Sequence, residues 1–586
     1  MTLRRQLAFF ATLTLLSGCG QFLPGSRSNS NSPSSDDDDS GTLSDDDDDA
    51  AAVPVGVACI APQSSYTFNF QEPGQVQLSA EIEWSDGSTT PADQVTWALQ
   101  DGFGGNVNVD GLLSMPWNHG GQVVVEAWVD SLVGTCTLDL QMTMTVDLTG
   151  DAALEAAVDL SVSSLDDACG PTVLYPPDGA AVPRNWAPLH VQWATPGPNA
   201  NAYVVSLQNE WVDATFITTA QSLVPELTNW VSLMDTWSGS TLTLRVYSGN
   251  WDGTTFLEPL CAASSPTVLD LTEQGLDGQI FYWAASAAGV FRLTLGASAP
   301  TAWADESTTG SCVGCHTSNL DNPRRIAKVY GGGDGWVVVS DVELGIGNVM
   351  PTQVRPGNFT ALDPTGRWLV RSYQGLLYLD DLDAGLNVST LPTTGHATHP
   401  NWSPDGLSLV YSSCDGSNSQ DWVQFNCSLR TLERVDVDQW ANDTLLVPGG
   451  SGTSNYYPSY SPDSAWVAFN RAYDEDSYDA TTADLWLVPT GGGTPVELTT
   501  ANQLTGLSNS WPRWGEMHDD FAWLAFASRR DYGVVTSGVP QVHLVGLDMN
   551  LLGLGVDPSR TALWLPGQDP SIGNHTPVWM PRFVKP

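Results

Sequence analysis

The sequence is short of positive charge. Only 21 of its 586 residues are Lys or Arg, against 66 Asp and Glu, for a formal net charge of −45. Binding a phosphate backbone needs clustered cations, so nucleic acid is excluded as a partner. Nine of the carboxylates form the runs Asp36–Asp39 and Asp45–Asp49. Without them the balance is still −36, so the folded part is acidic as well, as a solvated surface would be. Long apolar runs are also missing. The run Leu7–Leu16 has ten residues, and a helix needs about 20 to cross a bilayer. Absent too are a Gly-x-Ser-x-Gly elbow, a His-Glu-x-x-His pair and a phosphate-binding Gly-rich loop ending in Lys. No hydrolase or kinase constellation is left, and an enzyme is the least favoured class.

What the amino terminus does have is Arg4 and Arg5, the short apolar run, and then Leu16-Ser17-Gly18-Cys19. This resembles a bacterial lipoprotein signal peptide over residues 1–19, ending in a lipobox. The resemblance implies cleavage before Cys19 and its acylation, so that lipid anchors an otherwise soluble, exported protein to a membrane. Gly20 stands where an inner-membrane retention signal would have Asp, which points to the outer membrane, on its periplasmic face or at the cell surface. Residues 20–52 are Ser, Asn, Asp, Gly and Pro with almost no large apolar side chains. They cannot bury enough surface to offset ordering entropy, and an extended acidic tether is expected.

The rest reads as strands. Val76, Leu78, Ala80, Ile82 and Trp84 alternate with polar residues, Ser85-Asp86-Gly87-Ser88 signals a turn, and Val95 and Trp97 resume the alternation. Residues 53–148 resemble bacterial immunoglobulin-like domains, notably in Ile82–Thr90 and Val95-Thr96-Trp97, which implies a β-sandwich spacer or adhesion module. Residues 165–270 open with Leu174-Tyr175-Pro176-Pro177-Asp178-Gly179 and are similar to fibronectin type III modules. Residues 149–164 form the linker, with one short helical turn.

From about residue 275 a repeat appears. Its clearest copies are His399-Pro400-Asn401-Trp402-Ser403-Pro404-Asp405-Gly406 and Tyr457-Pro458-Ser459-Tyr460-Ser461-Pro462-Asp463, each followed by an apolar strand. Degenerate copies start at Phe359 and Trp511, and a half-copy at Thr576. Four strands per unit make a propeller blade. Residues 279–296 read as a blade lacking its inner strand, and Thr576–Phe583 as an inner strand lacking its blade. These repeats resemble TolB-like β-propellers of exported bacterial proteins over residues 275–586. Asn509–Trp514, Arg530-Asp531-Tyr532-Gly533, Asp557-Pro558-Ser559 and Asn574-His575 are similar to a group of exported propeller proteins that carry a haem signature. The expected fold is all-β: two N-terminal β-sandwiches followed by a six-bladed β-propeller.

That signature is Cys312-Val313-Gly314-Cys315-His316. A Cys-x-x-Cys-His run attaches c-type haem, with two thiols bonded to the porphyrin and the histidine on the iron. The same cysteine spacing also serves a redox disulfide or half a zinc site. The other cysteines sort without these two. Cys19 takes lipid, and Cys59 with Cys136, Cys169 with Cys261, and Cys414 with Cys427 each fall inside one module, where an oxidising compartment lets them pair. Aligning the blades puts His316 at the position of Pro400. Phe359, His399, Tyr457, Trp511 and His575 then surround it at one mouth of the channel. The candidates for the far side of the iron are His399, His575 and Met350, whose following Pro351 resembles the Met-Pro of small c-type cytochromes. The alternative roles are hydrogen bonds between blades for the histidines and loop packing for Met350. No helical segment flanks residues 300–330, as it would in an ordinary cytochrome.

The expected function is therefore a haem c lipoprotein for electron transfer or haem-dependent binding, monomeric, with an envelope protein or redox partner. The alternative is a non-haem protein-binding or adhesion scaffold in the cell envelope. Asp474, Glu475, Asp476 and Asp479 are either a calcium site or a solvated loop.

Overall fold

The computed structural model describes residues 51–580, apart from 71–73, 101–104, 115–119, 320–323, 332–334, 343–354, 417–420 and a few single positions. Cys19, the tether up to residue 50, Met350 and Asp479 lie outside the described residues. The chain is all-β, with a few short helices. No helix among the described residues is long and apolar enough to cross a membrane.

Alternation becomes strand where it was expected. Val76, Leu78 and Ala80 are buried, with exposed Gln75, Gln77 and Ser79 between them. The Ser85–Ser88 turn closes with the Trp84 amide donating to the Ser88 carbonyl (2.9 Å) and Gly87 at φ 83°. The Cys59–Cys136 disulfide joins Pro54–Ile60 to the long strand Leu132–Asp147. That strand has a second task. Its first half pairs antiparallel with Gly121–Val129, and its second half pairs parallel with Val212–Thr218, from Met142 opposite Val212 to Asp147 opposite Ile217. The two N-terminal regions thus share one sheet. Between them, Ala152–Ala157 is helical, with the Asp151 carboxylate accepting from the Ala153 and Leu154 amides.

The second region holds the Cys169–Cys261 disulfide and one longer helix, Leu227–Trp237. Trp230 of that helix is buried and donates its indole N–H to the Trp186 carbonyl at 2.7 Å. Its apolar side runs into a core shared with the C-terminal sheets, including Trp193, Trp523, Leu544 and Trp564. Tyr532 sits at this seam. Its ring stacks on Trp564 with centroids 4.0 Å apart, and its hydroxyl lies 3.1 Å from His190 Nδ1. Gly533 beside it has φ 60°, and a Cβ there would strike Gln192.

Six four-stranded sheets follow among the described residues. Five are consecutive in sequence, with first strands Val313–Ser318, Thr360–Leu362, His396–Trp402, Thr453–Tyr460 and Ser510–Met517. The sixth is composite: the C-terminal strand Asn574–Met580 pairs antiparallel with Gln279–Ala284, from Met580 opposite Gln279 to Asn574 opposite Ala284. The repeat motif works through its turn. Ser403 Oγ accepts from the Ser408 amide (2.9 Å), and the Asp405 carboxylate accepts from the Leu407 amide (2.9 Å). Gly406 supplies φ 74°. Ser461 and Asp463 repeat both bonds with the Trp466 and Ala465 amides. The Cys414–Cys427 disulfide ties down the loop after Ser408–Cys414, the strand paired with His396–Trp402.

The composite sheet offers a direct test. Phe281 is fully buried where Gln279–Ala284 meets the C-terminal strand. Phe281→Ala should cost about 3–5 kcal/mol of stability. Urea unfolding followed by tryptophan fluorescence would measure it, and a cost below about 1 kcal/mol would contradict the pairing.

Candidate functional site

The first strands are not regular. Each of five carries a bulge, where the ladder to the next strand slips: at Cys315, between Thr398 and Asn401, between Tyr456 and Ser459, between Ser510 and Arg513, and between His575 and Val578. At each slip one non-glycine residue takes the left-handed conformation: Cys315 (φ 30°), His399 (48°), Tyr457 (50°), Trp511 (61°) and Thr576 (50°). Such backbone costs on the order of 1–3 kcal/mol per residue and persists only where its surroundings enforce it. A bulge re-aims a side chain. Four of the five are followed by proline, which fixes the exit direction, and the fifth by His316.

These side chains converge. Phe359 lies edge-on to His399 (4.3 Å between centroids), His399 tilts over Tyr457 (4.3 Å), and Tyr457 stacks on Trp511 (3.5 Å, 16°). Four of the expected ring residues therefore pack together as an aromatic plug. His575 is apart from them, 5.6 Å from Trp283. The repeat position it was aligned to falls instead on Thr576, one residue on, while Cys315 holds the left-handed place in its own strand, as the alignment of His316 with Pro400 requires. One residue shifts a strand side chain to the opposite face.

On one side of the plug is a cavity of about 240 Å³. Cys312, Gly314 and Cys315 line it, with Trp283, Trp422, Tyr478, Trp511 and His575 among its walls. Both thiols are half-buried and unbonded, while the six other described cysteines are all in disulfides. Burial pushes the Cys315 thiol up to about 12, with Cys312 adding to the shift. A redox dithiol needs an easily formed thiolate, and this environment opposes one.

His316 points into a narrow void that it shares with Cys315, His399 and Arg513. It is 4 % exposed, and neither ring nitrogen makes a hydrogen bond of normal geometry. Burial pushes its pKa down to about 4, the Phe281 carbonyl opposing and Arg513 adding to the fall. The ring is neutral, with a nitrogen lone pair uncommitted. His399 is also held well below its usual range, by burial, then Arg513, then His396. Its Nδ1 lies 3.4 Å from Ser412 Oγ and its Nε2 has no partner.

Several site residues carried no sequence signal. Trp422 is positioned by its neighbours: the buried Asp421 carboxylate accepts from Asn358 (3.0 Å) and the Gly375 amide (3.0 Å) and meets His396 Nε2 (2.9 Å), while Ser477 donates to the Trp422 carbonyl (2.8 Å). Other family-like residues are scaffold. Arg530 is buried and donates to Asn509 Oδ1 (2.8 Å) and the Ala501 carbonyl (2.7 Å). In the acidic loop, Glu475 accepts from the Thr481 hydroxyl and the Thr482 amide, and Asp476 from the Tyr478 amide. Among the described residues no group of three or more His, Cys, Asp or Glu side chains is arranged to hold a metal ion.

Structural neighbours are TolB-like at low identity. The crystal structure of TolB from Acinetobacter baumannii is 13% identical, covering 58% of this chain and 80% of that one, with a TM-score of 0.37. The structure of putative TolB from Agrobacterium tumefaciens is 15% identical, covering 53% of this chain and 100% of that one, with a TM-score of 0.32. Kuenenia stuttgartiensis hydrazine synthase is 13% identical, covering 44% and 67%, with a TM-score of 0.29. No protein-family model and no curated protein matches the chain. These likenesses are too distant to assign it to a family.

The depressed His316 pKa has a consequence for stability. Between its ordinary value of 6.5 and about 4 the unfolded chain takes up a proton that the folded chain refuses. The stability present above pH 6.5 is therefore lost as the pH falls toward 4, by roughly 2–3 kcal/mol for this one ring. His316→Gln should lose that much less stability than wild type between pH 7 and pH 4.5, measured by urea unfolding at each pH. Parallel losses in the two proteins would contradict the burial of a neutral imidazole.

Proposed function

We propose that the chain is an exported lipoprotein, anchored through Cys19, whose residues 275–586 form a six-bladed β-propeller that carries haem c on Cys312 and Cys315. Supporting the propeller are the six four-stranded sheets, whose first strands neighbour one another in order. The strand Asn574–Met580 lies next to both Ser510–Met517 and Val313–Ser318, so the order closes on itself. Residues 53–148 and 165–270 are an immunoglobulin-like and a fibronectin III-like β-sandwich, coupled through the strand Leu132–Asp147. They hold the propeller at a distance from the outer membrane.

One observation carries the haem reading: two unpaired thiols share an aromatic cavity, and the next residue is a buried neutral imidazole whose ring nitrogens make no hydrogen bond of normal geometry. Cys312 and Cys315 would hold the macrocycle, and His316 would be the ligand the chain supplies to its iron. When bound, the haem supplies one-electron exchange or an iron site for a small ligand. Trp283, Trp422 and Trp511 line the same cavity and would exclude water from the group. Of the three candidates for the far side, His575 is favoured because it lines the same cavity as the thiols. His399 opens only on the narrow void, where Phe359 and Tyr457 cover it.

The test is a visible spectrum of protein made alongside a haem c maturation system, before and after dithionite. A Soret band that stays with the denatured polypeptide, and is lost in Cys312→Ser/Cys315→Ser, is the expected result. A colourless protein with both cysteines intact would leave the propeller as a binding scaffold in the envelope.

A further inference from the structure

A second cavity, of about 320 Å³, opens on the other side of the aromatic plug. Its size falls in the range of small-molecule sites. Residues from all six first strands or the turns after them contribute to it, from Thr317 at one extreme to Trp579 at the other. Much of the wall is aromatic: Trp402, Tyr460, Trp514 and Trp579. Polar groups among them include Thr317 and Asn401.

Its charged lining residues are Arg513 and Glu516. Arg513 is half-buried, and its one hydrogen bond runs from Nη1 to the Pro512 carbonyl at 2.9 Å. No carboxylate among the described residues pairs with it. In a chain with 66 acidic residues and 21 basic ones, that is a conspicuous vacancy for a counter-charge. A charge held away from water costs free energy unless a partner compensates it. Glu516 does not fill the role. One of its carboxylate oxygens accepts from the Asp277 amide at 2.6 Å, which holds it toward that loop.

We propose that this cavity binds a small organic carboxylate with an apolar body, its charge paired with the Arg513 guanidinium and its body against the tryptophans. A guanidinium meets a carboxylate through two parallel hydrogen bonds, which a point charge does not match. The site is separate from the thiol cavity and does not rest on the haem reading.

The test uses benzoate as the probe and benzamide as its uncharged counterpart, titrated calorimetrically into the full folded chain. Wild type should bind benzoate at least about tenfold more tightly than benzamide, a difference of about 1.4 kcal/mol. Arg513→Gln should abolish that preference, and Glu516→Gln, which removes the opposing charge, should strengthen benzoate binding. Equal binding of the two probes to wild type, or no benzoate binding at millimolar concentration, would overturn the proposal whether or not the variants fold. So would an Arg513→Gln protein that keeps the preference.

Discussion

Everything at the candidate site depends on one backbone device, the left-handed bulge in the first strand of five of the six sheets. A regular strand alternates its side chains between two faces. At the bulge the alternation breaks, and Cys315, His399, Tyr457, Trp511 and Thr576 turn toward the place where the strands meet. The strain is tolerated because each strand is held along the rest of its length by its ladder, and His396–Trp402 and Thr453–Tyr460 also by the Ser/Asp-closed turn that follows. The plug, the thiol cavity on one side and the cavity lined by Arg513 on the other are all consequences.

The second constraint is electrostatic. The surface is strongly acidic, but the centre is built from aromatic rings and from groups that burial keeps uncharged. His316, His399 and the Cys315 thiol are all displaced toward their neutral forms, with desolvation the leading cause each time. Burial pushes Arg513 the same way, down to about 10, but leaves it charged at neutral pH. Its charge adds to the fall in both histidines, and no carboxylate among the described residues pairs with it.

The parts of this arrangement that were legible in the sequence are those written locally. The Trp-Ser-Pro-Asp-Gly turn encodes its own hydrogen bonds, so the repeat was visible without a fold. Alternation marked the strands, and the turn at Ser85–Ser88 announced itself through Gly87. Long-range features were not legible. Nothing in Leu132–Asp147 says that its second half will pair with Val212–Thr218, because a parallel pairing leaves no short-range mark. The helix Leu227–Trp237 was missed. The ring of inward residues was read one position off at His575, since the bulge, not the alternation, decides which side chain turns inward. Arg513, Trp283 and Trp422 have no motif at all; only their convergence in space marks them.

The central claim is that Cys312 and Cys315 are a covalent attachment site and not a redox pair. Mass spectrometry of the proteolytic peptide that contains Cys312–His316, from protein matured with haem available, tests it most directly. The account requires a peptide heavier by one haem, with both sulfurs as thioethers. A peptide lighter by two hydrogens, with Cys312 and Cys315 joined as a disulfide, would contradict it.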